Sequence, residues 1–300
     1  MTTGAERPIA SDRCRPWATS TAATSTTSRG PTIASSSTAR SDGPYVIVNG
    51  ATGQPAEVGG TGNVYCKGDL VLGKESSGPH SLHLVWNTRI LWDDTLGAQH
   101  QWNYNLYYAR SDDGGNTWHN IDNTASVALT THIAWNDARF LAFSGDVDQN
   151  SERAFDVDNN GRPFMVVLRY RAGTGTLYGA HVDTSAATVP SYDLTFQYWN
   201  GSSWTRGVID SQVNWTQSRP KARVDADGNF YVFVGESPRY YRSTDGGQTW
   251  AAPVIFGNQA GSGWRLYSAP DPLDENYHNV MYQNRATHRL YYTRLQLTNR

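Results

Sequence analysis

The sequence predicts an all-β fold that is built from repeated antiparallel sheets. An eight-residue pattern, S-x-D-x-G-x-T-W, occurs twice, at Ser111–Trp118 and at Ser243–Trp250. Short runs of β-favouring residues recur between turns that are rich in Asp and Gly. No stretch keeps the apolar spacing of a helix over several turns. We therefore expect short strands joined by tight turns.

Each copy of the eight-residue pattern has the composition of a turn between two strands. Asp accepts hydrogen bonds from nearby backbone N–H groups, Gly allows positive φ, and the final Trp anchors the next strand. The pattern therefore predicts a structural hairpin and carries no catalytic chemistry by itself. The residues that form it are Ser111, Asp113, Gly115, Thr117 and Trp118 in the first copy, and Ser243, Asp245, Gly247, Thr249 and Trp250 in the second.

The strand-forming runs repeat at a spacing of about 66 residues, and the two hairpin patterns lie 132 residues apart. Leading strands are expected at Ser81–Trp86, Pro163–Leu168 and Phe230–Val234. Second strands with paired aromatics are expected at Leu106–Arg110, Leu177–His181, Arg239–Arg242 and Leu290–Leu295, and a further hairpin at Tyr198–Thr205. About four units of several short strands are typical of the blades of a β-propeller.

Residues 1–42 differ in composition from the rest of the chain. They are rich in Ser, Thr, Ala and Arg and contain one aromatic residue, so that they cannot bury enough apolar surface to offset their ordering entropy. We expect a disordered segment over 1–42 and an incomplete propeller over 43–300. Two origins of the first segment stay open: a linker to an upstream part, and a reading frame that is not the native one.

The net charge, the lengths of the apolar runs and the cysteine count exclude several classes of function. A formal net charge of −2 gives no basic field for nucleic acid. No apolar run approaches the length of a membrane span, and the N-terminus lacks the apolar core of a signal peptide. Two cysteines are too few for a disulfide framework or a Cys-rich zinc site. We therefore expect no nucleic-acid partner, no membrane partner and no bound cofactor.

The hairpin pattern resembles the Asp box of sialidase-type β-propellers, which is the bacterial neuraminidase (BNR) repeat. Within that family, the runs NVYCKGDLVL, SLHLVWNTR and WNYNLYYARSDDGGNTW resemble ulvan lyases and related polysaccharide lyases. The resemblance covers roughly residues 43–297. It implies a ring with more blades than the four that are legible here, and an open ring could self-associate.

The resemblance implies β-elimination of a uronic-acid polymer by a secreted bacterial protein, extracellular or periplasmic. This chemistry needs a base for the C5 proton, an acid for the leaving oxygen and a cation for the carboxylate. In the family, the base and acid come largely from blades upstream of this region, which implies that the catalytic half is missing here. Tyr65 and Arg89 are the positions that carry over, and Tyr104 stands where the group often has His.

Other candidates follow from residue types. Arg binds a carboxylate through its planar fork, and Tyr and His transfer protons. The candidate catalytic residues are Tyr65, Arg89, His83 and His132, although core packing, an interblade salt bridge and a structural His are alternative roles for the first three. The candidate substrate-binding residues are Trp86, Tyr104, Trp135, Arg169 and Arg171.

Three alternatives stay open. The run from Asp156 to Gly161 copies the start of an EF-hand loop, but its twelfth position is Val167, so we expect a turn, and a structural calcium ion stays possible. A sialidase-like hydrolase shares the Asp box, yet only six Glu are present to activate a Tyr. A non-catalytic glycan-binding propeller would need exposed aromatic side chains alone.

Overall fold

The computed structural model describes residues 48–49, 61–74, 80–93, 99–146, 153–170, 177–178, 181–182, 192–213, 220–235, 238–256, 264–270, 277–284 and 289–297. They belong to one compact unit, Tyr45–Arg300. The segment 1–42, for which disorder is predicted, lies outside the described residues, as does Arg171.

The described residues are almost entirely β-structure, which confirms the predicted all-β class. The strands of the first half are β1 Val48–Asn49, β2 Thr61–Leu72, β3 Leu82–Asp93, β4 Gln99–Ser111, β5 Thr117–His119, β6 Ser126–Ala128, β7 Ile133–Ala134, β8 Leu141–Asp146, β9 Arg153–Val157 and β10 Pro163–Tyr170. Those of the second half are β11 Leu177–Tyr178, β12 His181–Val182, β13 Tyr192–Trp199, β14 Trp204–Val213, β15 Lys221–Val224, β16 Phe230–Val234, β17 Arg239–Ser243, β18 Val254–Ile255, β19 Trp264–Pro270, β20 Tyr277–Asn284 and β21 Arg289–Gln296. The helical structure in these ranges is a single 3-10 turn, Ala138–Phe140, and no helix in them could cross a membrane.

Four antiparallel sheets follow one another along the chain. The first sheet has the order β2-β3-β4-β5-β6, with β8 also paired to β4. The second sheet is β9-β10-β13-β14, the third is β15-β16-β17-β18, and the fourth is β19-β20-β21. Two small pairs, the parallel β1–β7 and the antiparallel β11–β12, complete the described strands. The repeated antiparallel sheets that the sequence predicts are confirmed.

The predicted strands match the structure in all units but the second. The hairpin at Tyr198–Thr205 is confirmed, because β13 and β14 meet there with Trp199 opposite Trp204. The second strand expected at Leu177–His181 is wrong: β10 pairs with β13 instead, and that segment supplies only the two short strands β11 and β12. The physical reason is burial, since Tyr192–Trp199 is a longer β-favouring run that is buried on both faces.

Three hydrophobic cores lie between consecutive sheets, and alternate residues of one strand belong to different cores. On β10, Phe164, Val166 and Leu168 pack against the third sheet, whereas Met165 and Val167 pack against the first. Strand β16 divides in the same way between the second and fourth sheets. The period of two in side-chain direction therefore lets a central strand join two neighbours at once.

Consecutive sheets also contact one another through their first strands, in the pairs β2–β9, β9–β15 and β15–β19. Two hydrogen bonds align the sheets. The Lys74 ammonium, just beyond β2, donates to the carbonyl of Val157 at the end of β9 at 2.6 Å. The Asn159 amide donates to the carbonyl of Asp225 at the end of β15 at 2.8 Å. We call this common end the Asp-box end, because the first Asp box, at the end of β4, lies beside the start of β3 there.

The fourth sheet has one packed face and one exposed face. Tyr282, Tyr291 and Leu295 pack towards the third sheet. On the opposite face, Leu290 is 61% exposed and Tyr292 is 64% exposed. This exposed apolar face, which includes Met281, is called the outer face below.

Candidate functional site

Both Asp boxes have the hairpin geometry that their composition predicts. In the first, the Ser111 hydroxyl donates to the Asp113 carboxylate at 2.8 Å and accepts from the Gly115 N–H at 2.8 Å. The Thr117 N–H also donates to Asp113, at 2.9 Å. The second box repeats these three bonds and adds one from the Thr249 hydroxyl to Asp245 at 2.6 Å. These contacts satisfy the turns internally.

The two boxes differ in what they pack against. Trp118 of the first box is buried in a core on the far side of the first sheet, with Trp86 and Phe140. Trp250 of the second box is half-buried and meets the Phe196 ring of the second sheet edge-on, with centroids 5.1 Å apart. Gly247 lies so close to Phe196 that an added Cβ would come within 2.1 Å of the ring. The second box therefore also joins two sheets.

The candidate site begins at a β-bulge towards the opposite end of the first sheet. On β4, Leu106 pairs with Asn87 and Tyr104 pairs with Thr88, so Asn105 is one residue too many for β3. Asn105 has φ 53°, a left-handed conformation that Asn tolerates better than most residues. Its amide donates to the Tyr107 hydroxyl at 3.1 Å and its side-chain carbonyl accepts from the Gly145 N–H at 3.1 Å. Such bulges redirect the side chains beside them.

Arg89 and its neighbours lie just past this bulge. The Arg89 Nε donates to the side-chain carbonyl of Asn103 at 2.8 Å, and Asn103 is fully buried. The strand register places Tyr65 directly opposite Arg89 on one side and Asn103 opposite it on the other. A guanidinium anchored through Nε has a fixed orientation, which suits bidentate carboxylate binding.

An aromatic pair lies on the other face of the same strands, because Tyr104 is opposite Thr88 whereas Asn103 is opposite Arg89. The Tyr104 ring meets the Trp135 ring edge-on, with centroids 6.4 Å apart and planes at 86°. The backbone carbonyl of Trp135 accepts a bond from the Trp86 indole N–H at 3.3 Å. The Thr88 hydroxyl donates to the same carbonyl at 3.5 Å, so Trp135 lies on the face of Trp86 and Thr88. We call Arg89 and Asn103 the Arg89 cluster, and Tyr104 and Trp135 the aromatic pair.

The two candidate histidines occupy different environments. His83 is buried, with Nε2 2.7 Å from the Ser81 hydroxyl and Nδ1 2.6 Å from the Tyr108 hydroxyl. It lies six residues before Arg89 on β3, which is about 20 Å along a strand. Its burial and these two contacts favour the structural role for His83, and a catalytic role stays a prediction. His132 is exposed, with φ 58°, on the segment that leads to Trp135.

Arg169 approaches the same region from the second sheet. A Cβ added at Gly145, the residue that binds Asn105, would lie 3.9 Å from the Arg169 Nε. Arg206, which the sequence reasoning missed, has its guanidinium 4.4 Å from the centre of the Phe143 ring. Burial and the nearby Arg169 charge lower the pKa of Arg206. Two arginines that repel each other favour a bound anion between them.

The run from Asp156 to Gly161 forms the expected turn. The Asp158 carboxylate accepts bonds from the N–H groups of Asn160 and Arg162, each at 2.8 Å, and from the Tyr198 hydroxyl at 2.9 Å. Asp156 pairs with the Lys74 ammonium at 2.9 Å. Within the described ranges, no group of three or more His, Cys, Asp or Glu side chains is arranged to hold a metal ion.

Comparison with known families identifies the family to which the chain belongs. The family described as "BNR repeat-containing family member" matches residues 34–212, which is more than half of the chain. The chain belongs to the BNR repeat-containing family. This agrees with the resemblance carried by the two Asp boxes. No curated protein matches the chain.

Two solved structures share the fold of this BNR repeat-containing chain. One is a polysaccharide lyase of family PL25, an ulvan lyase, bound to -[GlcA(1-4)Rha3S]-, and the other is a further structure of a PL25 ulvan lyase. Each superposes with a TM-score of 0.55 at 13% sequence identity over 84% of this chain. The chain spans 55% of the length of these lyases.

The sequence reasoning missed a second group of polar residues in this BNR chain, at the Asp-box end. A cavity of about 300 Å³ opens there between the second, third and fourth sheets. It contains two of the three lysines of the chain, but no local motif marks it, because its parts come from distant segments. Its lining residues are Lys74, Asp156, Asn159, Lys221, Ala222, Arg223, Val224, Asp225, Ala226 and His278.

Proposed function

We propose that this chain is a carbohydrate-active protein that binds a uronic-acid-containing polysaccharide at the Arg89 cluster. The observation that carries the proposal is the Arg89 guanidinium, held by buried Asn103 at 2.8 Å. An oriented guanidinium suits the carboxylate of a uronate. Family membership and the fold shared with ulvan lyases support this reading.

We propose further that the four sheets are blades of a β-propeller that is larger than this chain. The contacts between successive first strands support this arrangement, since the first strands of propeller blades lie next to the central axis. The 55% span relative to the ulvan lyases supports a ring with additional blades. We also propose that the protein acts outside the cell or in the periplasm, which is what the resemblance to the polysaccharide lyases implies.

The class of reaction that fits this site is β-elimination. Arg89 would neutralise the uronate carboxylate and so stabilise the charge that develops when the C5 proton leaves. Tyr65, directly across the strand pair, is the candidate for proton transfer, and His132 and Arg169 are candidates for further substrate contacts. His83, buried between Ser81 and Tyr108, would not take part, which removes one candidate base from this chain. We therefore propose that polysaccharide binding exceeds turnover in the isolated chain.

The test compares binding of ulvan by the wild type, Arg89→Lys and Arg110→Lys in isothermal titration calorimetry. Lys keeps the charge but loses the planar fork, so Arg89→Lys should weaken binding by about tenfold, the loss expected for a charge-assisted bond of about 1.5 kcal/mol. Arg110, near the end of β4, pairs with Asp112 in the following turn at the Asp-box end, so its substitution should leave affinity unchanged. Equal affinity in all three proteins would refute the proposed site.

The reaction class is tested in the same samples. Slow growth of ultraviolet absorbance from an unsaturated uronyl end would show elimination. Release of sialic acid from a sialoside, without that absorbance, would favour the sialidase alternative. Binding of ulvan without either product would leave the non-catalytic glycan-binding function.

A further inference from the structure

The cavity at the Asp-box end is separate from the Arg89 cluster. It lies beside the ends of the first strands β9 and β15 and the start of β20, with Lys74 closing one side. Arg89 lies towards the other end of the first sheet, opposite Tyr65 in the first half of β2. A volume of about 300 Å³ equals roughly ten water molecules in the liquid, which is enough for a group the size of one sugar unit.

The charges around the cavity leave one cation without a partner. Lys74 pairs with Asp156 at 2.9 Å, and these charges offset each other. The Asp225 carboxylate is occupied within its own turn by the Asn229 N–H at 2.8 Å and the Asn229 amide at 2.9 Å. Lys221 makes no side-chain hydrogen bond or ion pair with any residue in the described ranges. Its ammonium group is thus available to an anion.

His278 contributes a buried donor to the same cavity. Its ring is 2% exposed and stacks on Phe233, with centroids 4.4 Å apart and planes at 11°. Its Nδ1 lies 3.3 Å from the Arg223 Nη1, and a guanidinium only donates, so Nδ1 accepts and the proton of the neutral ring is on Nε2. Nε2 has no hydrogen-bond partner within the part of the chain that is described.

The low pKa of His278 supports a neutral ring whose proton is on Nε2. Burial, and then the Arg223 charge, lower the pKa of His278 to about 3. The ring is therefore neutral at physiological pH and keeps its Nε2–H. A buried donor without an acceptor is unfavourable, so an incoming oxygen atom that accepts from Nε2–H would remove this penalty.

We propose that this cavity binds an oxyanion, a carboxylate or a sulfate group, between Lys221, Arg223 and His278. Lys221 and Arg223 supply positive charge from β15, and His278 supplies a directed donor from β20. The oxyanion is either a free inorganic anion or a substituent of a sugar, since both present the same oxygen atoms. This site does not depend on the Arg89 cluster or on the proposed polysaccharide function.

The test is a titration of the full chain with sodium sulfate and, separately, with sodium glucuronate, at constant ionic strength set with sodium chloride. The readout is the histidine side-chain ¹H–¹⁵N spectrum, in which the His278 Nε2 signal is identified by its absence in His278→Phe. The wild type should show a saturable shift of this signal. Lys221→Gln should weaken the fitted affinity by about tenfold, whereas Arg289→Gln, which removes an exposed charge elsewhere, should not.

Each outcome decides the proposal. Tighter binding of glucuronate than of sulfate assigns the oxyanion to a sugar, and the reverse order assigns it to a free anion. Both orders support the site, provided that Lys221→Gln is weakened. No saturable shift in the wild type, or equal affinity in Lys221→Gln and Arg289→Gln, would overturn it. Arg89→Lys should bind the probes normally, which separates failure of this site from failure of the proposed function.

Discussion

The Ser111 hydroxyl connects two other residues of the first Asp box by hydrogen bonds. It is fully buried, donates to Asp113 and accepts from the Gly115 N–H. Ser111→Ala leaves that N–H without its acceptor inside the turn. The free energy of unfolding should fall by about 1–3 kcal/mol.

Urea denaturation followed by tryptophan fluorescence measures this loss. Ser126→Ala is the matched control, because Ser126 is exposed and should change stability by less than about 0.5 kcal/mol. Ulvan binding should survive in Ser111→Ala if the box is structural. Lost binding with an unchanged denaturation curve would contradict the structural role.

Asp245 predicts a pH dependence of stability. Its pKa is lowered to about 2 by the bond from the Thr249 hydroxyl, then by the bonds from the Thr249 N–H and the Ser243 hydroxyl. The unfolded value is near 3.8, so the carboxylate stabilises the fold above about pH 4, and this contribution is lost as the pH falls towards 2. The difference in urea midpoint between wild type and Asp245→Asn should therefore shrink over that range. A difference that stays constant down to pH 2 would contradict the assignment.

At the scale of elements, the second Asp box acts as a joint between the second and third sheets. Gly247→Ala would push a methyl group into the Phe196 ring, and its φ of 84° is also unfavourable for Ala. Gly246→Ala shares the positive φ, at 75°, but meets open space. Left-handed strain alone costs about 1–2 kcal/mol. Gly247→Ala should lose a further 1–3 kcal/mol or so from overpacking.

Thermal unfolding of the two variants checks this difference. Gly115→Ala in the first Asp box is a second comparison, because its nearest contact would be an ordinary 3.6 Å from Leu82. It should resemble Gly246→Ala. Equal losses in Gly246→Ala and Gly247→Ala would mean that the Phe196 contact contributes little.

Elements with strong local signals could be predicted from the sequence, and those that depend on distant contacts could not. The Asp boxes and the Tyr198–Thr205 hairpin follow from turn residues within a few positions. The sequence does not predict strand β13, because the earlier β-favouring run Leu177–His181 competes for the same position in the second sheet. Local pattern does not say which of two candidate strands the partner strand will bury.

The candidate site also has a part that local sequence predicts and a part that depends on distant contacts. The Arg89 and Tyr65 positions follow from local sequence, but the bulge at Asn105 that arranges Arg89 and Tyr104 depends on the register of β3 and β4. The cavity at the Asp-box end brings Lys74 to Asp156, 82 residues away, and Arg223 to His278, 55 residues away. No motif or regular spacing in the sequence predicts contacts between residues this far apart in the chain.

On the scale of the whole molecule, the outer face of the fourth sheet predicts self-association. Leu290 and Tyr292 are mostly exposed there, together with Met281. The inner face of the same sheet buries similar residues against the third sheet, and the net charge of −2 gives little repulsion between copies. We expect a second copy of the chain to cover the outer face.

Sedimentation velocity over a range of protein concentrations measures this association. The double variant Leu290→Lys/Tyr292→Lys should shift the protein towards monomer. Gln296→Lys, which adds a charge at the end of the same strand, should have a much smaller effect. A wild type that stays monomeric at high micromolar concentration would contradict the prediction.

The serial packing of the sheets also determines how cooperatively the protein unfolds. Three cores join consecutive sheets, so stability is shared between neighbours, as in a repeat array with nearest-neighbour coupling. The second and third sheets are held on both faces, whereas the fourth is held on one. Amide hydrogen exchange in the native state should therefore show a gradient, with β10 and β16 opening only in global unfolding and β21 opening earlier and independently.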